Sequence, residues 1–157
     1  MSKSLKDIPL KDVMSKPVRS VNVNALFSQV AEAFLNNEIR HLPITGPGKE
    51  LVGLFSKRDL YRTVAPRRGS EGIQVFHDKV VEPSGDYYLK ESLDRFILKN
   101  VMVKKVRTLT EDDTLGEAIH LMVEHKIGCV PIVDEDRKIK GIVTRYDILR
   151  LIDKLKF

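Results

Sequence analysis

The sequence predicts an α/β (α+β) protein made of two copies of one β–α–β–β–α unit packed with pseudo-two-fold symmetry. Three observations carry this. The chain of 157 residues matches itself without a gap when shifted by 88, so that Val13–Leu60 falls on Val101–Ile148. Ten of these 48 positions are identical, among them Met14/Met102, Pro43/Pro131, Gly53/Gly141 and Asp59/Asp147. Unrelated segments of ordinary composition match at about one position in seventeen. The apolar positions also keep step, as in Val18/Val106, Phe27/Leu115, Phe34/Met122, Ile39/Ile127 and Leu54/Ile142. A unit of about fifty residues buries too little to be stable alone. The copies are therefore expected to share a core, and two-fold pairing leaves two equivalent clefts between them.

Each copy opens on a short strand rich in Val and Leu, 18–23 and 106–109. Helices are expected at about 25–37 and 114–126. In the second, Leu115, Ala118, Ile119, Met122 and Val123 form an apolar stripe at helical spacing. Thr114 with Glu117 makes a capping box, whereas copy one has Leu26 in that place and needs Asn24 or another cap. The Phe and Met residues on these helices read as core. Strands HLPIT (41–45) and CVPIV (129–133) follow, then ELVGLF (50–55) and KIKGIV (138–143). The intervening GPGK and DEDR are both good turn chemistry. The last helices begin near Lys57 and Arg145. The first stops before Pro66, and the second runs through Ile148, Leu151, Ile152 and Leu155 to the chain end.

These elements divide the chain into copy one (8–65), an insert (66–92) and copy two (93–157). Arg67-Arg68-Gly69-Ser70-Glu71-Gly72 reads as an exposed, mobile loop, and IQVF with KVVEP as a small hairpin. Lys90–Asn100 is expected to be helical, with Leu93, Phe96 and Ile97 on one face. It would pack one copy against the other, or serve as a lid or partner-docking arm.

Composition is that of a soluble globular protein, 42% hydrophobic and 31% charged, which excludes a disordered chain. The single cysteine, Cys129, excludes an internal disulfide framework and fits a reducing compartment. MSKSLKDIPL holds no apolar stretch of signal-peptide length, and no run approaches the roughly 18 residues of a membrane span. A cytoplasmic protein with no membrane partner is expected. The net charge of +5 favours anionic partners. The densest basic cluster, Arg62, Arg67 and Arg68, is too small for a nucleic-acid stripe.

Chemistry concentrates in two matching segments, GLFSKRD (53–59) and GIVTRYD (141–147). A hydroxyl three residues before an acid is a capping-box pattern, worth about 1 kcal/mol at a helix start. The same geometry suits a phosphate. A helix N-terminus brings free N–H groups, and Ser56 or Thr144 with the adjacent Lys57 or Arg145 completes an anion site. An acid one turn in, Asp59 or Asp147, can accept both hydroxyls of a ribose. Capping alone explains neither the matched cations nor the glycine in each preceding strand. Elsewhere, His120 and His125 stand near Cys129, but at no recognised zinc spacing, so no metal is expected. Cys129 reads as a small buried hydrophobe. No catalytic motif occurs, and no nucleophile is paired with a base.

Three patterns occur in order, twice: V-M-x-K-x-V-R-S/T, I-x-x-L/V-P-I and G-x-x-S/T-K/R-x-D. Together they resemble the cystathionine-β-synthase (CBS) domain, and the tandem resembles a CBS pair, or Bateman module. The resemblance covers both repeats and not the insert. It implies a disc-like pair that binds an adenosine-containing ligand (AMP, ADP, ATP or S-adenosylmethionine) in its clefts, as a regulatory ligand rather than a required cofactor. It assigns Asp59 and Asp147 to ribose, and Ser56 and Thr144 to phosphate. Leu54, Ile142, Val18 and Val106 would flank adenine. The residues before L-P or V-P reach the phosphates; here they are Arg40-His41 and Gly128-Cys129, a departure that makes the clefts unequal. Because a family cleft combines the middle of one copy with the end of the other, Arg40 and His41 should meet Thr144, Arg145 and Asp147. The expected function is a non-enzymatic sensor, a homodimer acting on a protein partner that the sequence does not name. The alternatives are a basic nucleic-acid-binding protein and a ligand-free interaction scaffold.

Overall fold

The computed structural model describes residues 4–36, 38–64, 67–68, 74–76, 79–80 and 93–155. Copy one contains β1 (Val21–Asn22), α1 (Phe27–Leu35), β2 (His41–Thr45), β3 (Leu51–Ser56) and α2 (Lys57–Val64). Between the copies lie β4 (Arg67–Arg68), β5 (Gln74–Phe76) and β6 (Lys79–Val80). Copy two contains α3 (Leu98–Val101), α4 (Leu115–His125), β7 (Cys129–Val133), β8 (Ile139–Thr144) and α5 (Arg145–Lys154). Two 3-10 turns, Leu5–Asp7 and Leu10–Asp12, precede them.

The central hairpins repeat with the sequence. β2 and β3 are antiparallel with His41 opposite Ser56 and Ile44 opposite Gly53, while β7 and β8 set Cys129 opposite Thr144 and Ile132 opposite Gly141. Each hairpin carries its register shift at the same place, after Ile44 and after Ile132. β1 adds to β2 in parallel. The expected strand at 18–23 shortens to two residues, and that at 106–109 to one bridging residue, Leu109 beside Ile132. Leu109 still makes two backbone bonds, to Pro131 and from Val133. Only one or two residues of each segment lie alongside the neighbouring strand.

The copies exchange their leading segments. Ser15 pairs with Ile142, donating at 2.9 Å and accepting at 3.1 Å, and Val103 pairs with Leu54 through two bonds of 2.9 Å. Leu10 and Met14, from the start of the chain, are buried with Leu115, Met122 and Val130 in the second core. Leu93, Phe96 and Leu98, from the start of copy two, are buried with Phe27, Phe34 and Phe55 in the first. Each fully buried Leu contributes about 1.5–3 kcal/mol, so each core depends on a strap from the other copy. The exchange also explains the paired glycines. A side chain at Gly53 would run into the Met102 sulfur, and one at Gly141 into the Met14 sulfur.

Several expectations are corrected. Lys90–Asn100 is not one helix. Residues 94–97 break it: Leu93 is helical before the break and Leu98–Val101 after it, and Ile97 is 61% exposed while Leu93 and Phe96 are buried; 90–92 lie outside the described residues. Arg67–Arg68 is not loop but a strand paired with Gln74–Val75, and the β5–β6 hairpin pairs Val75 with Val80. Residues 69–72 lie outside the described residues. Val123 leaves the core stripe at 73% exposure. Asn24 does not cap α1. Gln29 accepts the Leu26 N–H, and Asp94 from the strap accepts the Ser28 N–H, both at 2.9 Å. α5 stops at Lys154, and Leu155 is exposed.

Candidate functional site

Both final helices start at the end of a central strand, and a capping box holds each start. Thr144 Oγ1 accepts from the Asp147 N–H at 3.2 Å, while Asp147 Oδ2 accepts from the Thr144 N–H and hydroxyl, each at 2.9 Å. Ser56 and Asp59 form the same box with bonds of 2.8–3.0 Å. The acids are thus helix caps first. Asp147 has one partner more. Ser15 Oγ, on the exchanged leading segment, donates to its Oδ1 at 3.0 Å.

Thr144, Asp147 and Ser15 border a cavity of about 640 Å³ between the copies. From copy one come Glu38, Ile39, Arg40 and His41; from copy two come Ile142, Thr144, Arg145, Tyr146 and Asp147. Lys57, Gly128 and Ser15 complete the lining. The Arg145 guanidinium lies over Gly128, where an added Cβ would come within 2.8 Å of its nitrogens. At the matching place copy one carries Arg40 itself. The cavity thus faces three permanent cations, Arg40, Lys57 and Arg145, two carboxylates and the α5 N-terminus.

Burial holds the His41 imidazole below its ordinary pKa, and the neighbouring Arg145 and Arg40 add to this against the pull of Asp59. His41 is therefore neutral at pH 7 and offers one donor and one acceptor. Its counterpart Cys129 is a buried free thiol, pushed far up by burial and then by Asp147. It stays protonated and supplies no nucleophile.

Of the residues singled out in the sequence, the cavity gathers Arg40, His41, Lys57, Ile142, Thr144, Arg145 and Asp147. It does not gather Val18, Leu54, Ser56, Asp59 or Val106. Ser56 and Asp59 remain in their own box, and Leu54 pairs with Val103. Sequence reasoning missed Ser15, Glu38, Ile39 and Tyr146 as lining, and it named Gly128 only as the counterpart of Arg40. Glu38 and Ile39 adjoin Arg40 and were within reach of the motif, whereas Ser15 arrives only through the exchange. Among the described residues no group of His, Cys, Asp and Glu is placed to hold a metal. His120 and His125 both point to Glu124, at 3.4 and 3.7 Å. No helix among them is long and apolar enough to cross a membrane.

The chain is similar to known proteins along nearly its whole length. It is 29% identical to a homoserine O-acetyltransferase of Methanosphaera stadtmanae over 98% of this chain, and 28% identical to an L-aspartate semialdehyde sulfurtransferase of Methanocaldococcus jannaschii over 90%. It spans only 26% and 23% of those two proteins' length. The uncharacterized protein MJ1426 of Methanocaldococcus jannaschii is 28% identical, with 90% of its length covered. Among solved structures, the CBS domain pair of protein MJ0100, in complex with 5′-methylthioadenosine and S-adenosyl-L-methionine, matches with a TM-score of 0.71 at 26% identity, covering 94% of this chain and 98% of that one. A CBS domain-containing protein of unknown function from Bacillus anthracis shares the fold, with a TM-score of 0.72 at 20% identity and 97% of each chain covered. The family model described as "CBS domain" matches residues 10–66 and again 98–154, together well over half of the sequence. On these two tandem matches, the chain belongs to the CBS domain family.

Proposed function

We propose that this CBS pair is a regulatory sensor that binds an adenine nucleotide in the cleft between its copies and modulates a protein partner. The carrying observation is the charge of the cleft: Arg40, Lys57 and Arg145 line one cavity together with the helix start at Thr144 and with Asp147. Cations at a helix N-terminus suit phosphate, and a carboxylate one turn in suits ribose hydroxyls. Ile39 and Ile142 supply apolar surface for a purine. The adenosine compounds bound by the MJ0100 pair support the nucleoside half of this reading. The phosphate half rests on the three cations of this chain.

A ligand seated there touches both copies, so it favours whichever relative arrangement of the copies brings those groups closest. That preference is the signal a partner reads. The reading includes a homodimer, because Tyr146 and Leu149 on α5 and Tyr61 on α2 are 66%, 63% and 58% exposed, apolar surface that an isologous contact would cover. Thermal unfolding of ligand-stripped protein with AMP, ADP, ATP and S-adenosylmethionine tests the sensor. At a hundred times its dissociation constant a ligand adds about 2.7 kcal/mol, a rise of several degrees in a chain of this size. No rise with any of the four refutes the reading.

A further inference from the structure

The geometry assigns Ser15 a direct part in the cleft: its hydroxyl and the Asp147 carboxylate together form a receptor for a vicinal diol, and among the described residues only the Asp147 cleft has this pair. This deepens the nucleotide reading and rests on it.

The argument is a count of acceptors. A carboxylate offers about four lone-pair sites on its two oxygens. Asp147 Oδ2 already accepts two bonds from Thr144, its N–H and its hydroxyl. Oδ1 accepts one from Ser15. One lone pair remains on Asp147, enough for one sugar hydroxyl. The second hydroxyl needs another acceptor nearby. Ser15 Oγ has spent its proton on Oδ1 and keeps its lone pairs, it lines the cavity, and it stands 3.0 Å from Oδ1. That separation is close to that of two vicinal hydroxyl oxygens on a sugar ring. A cis-diol therefore spans the pair, one hydroxyl donating to Asp147 Oδ1 and the other to Ser15 Oγ.

The seating of Ser15 is not incidental. Its backbone makes the two-bond bridge to Ile142, and the preceding Met14 is fixed against Gly141. Copy one keeps that frame but lacks the hydroxyl. Val103 bridges Leu54 at the matching place, so the residue that corresponds to Ser15 brings no hydroxyl to Asp59.

Calorimetry with ADP and with its 2′,3′-dideoxy analogue tests this on the full chain. Ser15→Ala keeps the backbone bridge and should fold, which thermal unfolding checks. It is expected to weaken ADP binding about tenfold, the loss of one hydrogen bond to an ordered acceptor. Binding of the dideoxy analogue should not change, and Ser15→Thr should restore the ADP affinity. Unchanged ADP affinity in Ser15→Ala, tighter binding, or an equal loss with both probes overturns the diol assignment and leaves the sensor standing. A wild-type protein that binds neither probe overturns the nucleotide reading and this assignment with it.

Discussion

Asp147 serves two masters in the proposed reading, and Asp147→Asn separates them. An amide keeps one acceptor oxygen and exchanges the other for a donor. The cap presents two donors, the N–H and hydroxyl of Thr144 at 2.9 Å, so the amide oxygen turns there. The NH2 group then faces Ser15 and the cavity, where an acceptor stood. The fold loses a negative charge at a helix start and part of a box, at most about 1 kcal/mol. In a chain of this size that lowers the melting temperature by about 2–4 °C. A nucleotide loses a charge-assisted bond worth about 1.5–3 kcal/mol, roughly ten- to a hundredfold in affinity. Asp59→Asn is the matched control. Its cap has the same bonds at 2.8–3.0 Å and should cost the same stability, yet Arg40 and His41 line the cavity that Asp147 borders and Asp59 does not, so binding should suffer less. Calorimetry with ADP beside thermal unfolding measures both effects. Equal losses of affinity from the two variants refute the unequal clefts. Folded variants that bind as the wild type does refute any ligand role and leave both acids as caps.

The remaining expectations concern protons and packing. Because burial and two arginines hold His41 below its ordinary value of 6.5, the native state favours the neutral ring. The stability this gives is full above pH 6.5 and is lost as the pH falls below it, a loss that His41→Gln should abolish in pH-dependent unfolding. A bound polyanion offsets the arginines and raises His41 again, so binding should take up protons near pH 6.5. Calorimetry in buffers of different ionisation heat would register that uptake, and a buffer-independent heat would refute it. Gly141→Ala should cost about 1–3 kcal/mol by pushing Met14 from its seat, and adding Met14→Ala to the Gly141→Ala variant should cost less than Met14→Ala alone. Strict additivity in denaturant unfolding would show that the two do not meet.

The local pattern of each copy was legible because local chemistry decides it. The box of Thr144 and Asp147, the strands and turns of the P-I hairpins and the stripe from Leu115 to Met122 depend on residues within a few positions of one another. The motif also led to Arg40, His41, Thr144, Arg145 and Asp147, which border one cavity. What stayed hidden is long-range. Leu10 and Leu98 are as apolar in one core as in the other, and nothing in their spacing says that each crosses over. Ser15 therefore looked like a plain polar residue beside Met14, and the glycines at 53 and 141 like part of a ligand motif rather than seats for methionines. Ile97 and Val123 fit an apolar period yet face outward, because periodicity does not tell which turn meets a neighbour.

The crossing of the leading segments has a consequence for how the chain reaches this state. Ser15 and Asp147 lie 132 residues apart, in a protein of 157. Contacts this distant carry a loop-closure cost before they return any free energy, and they raise contact order and slow the search. During synthesis the strap that carries Leu10 and Met14 leaves the ribosome well before β8, and it stays uncovered until β8 follows. The first core likewise stays open until Leu98 arrives. Because each core includes a strap from the other copy, the two copies are expected to unfold as one cooperative unit.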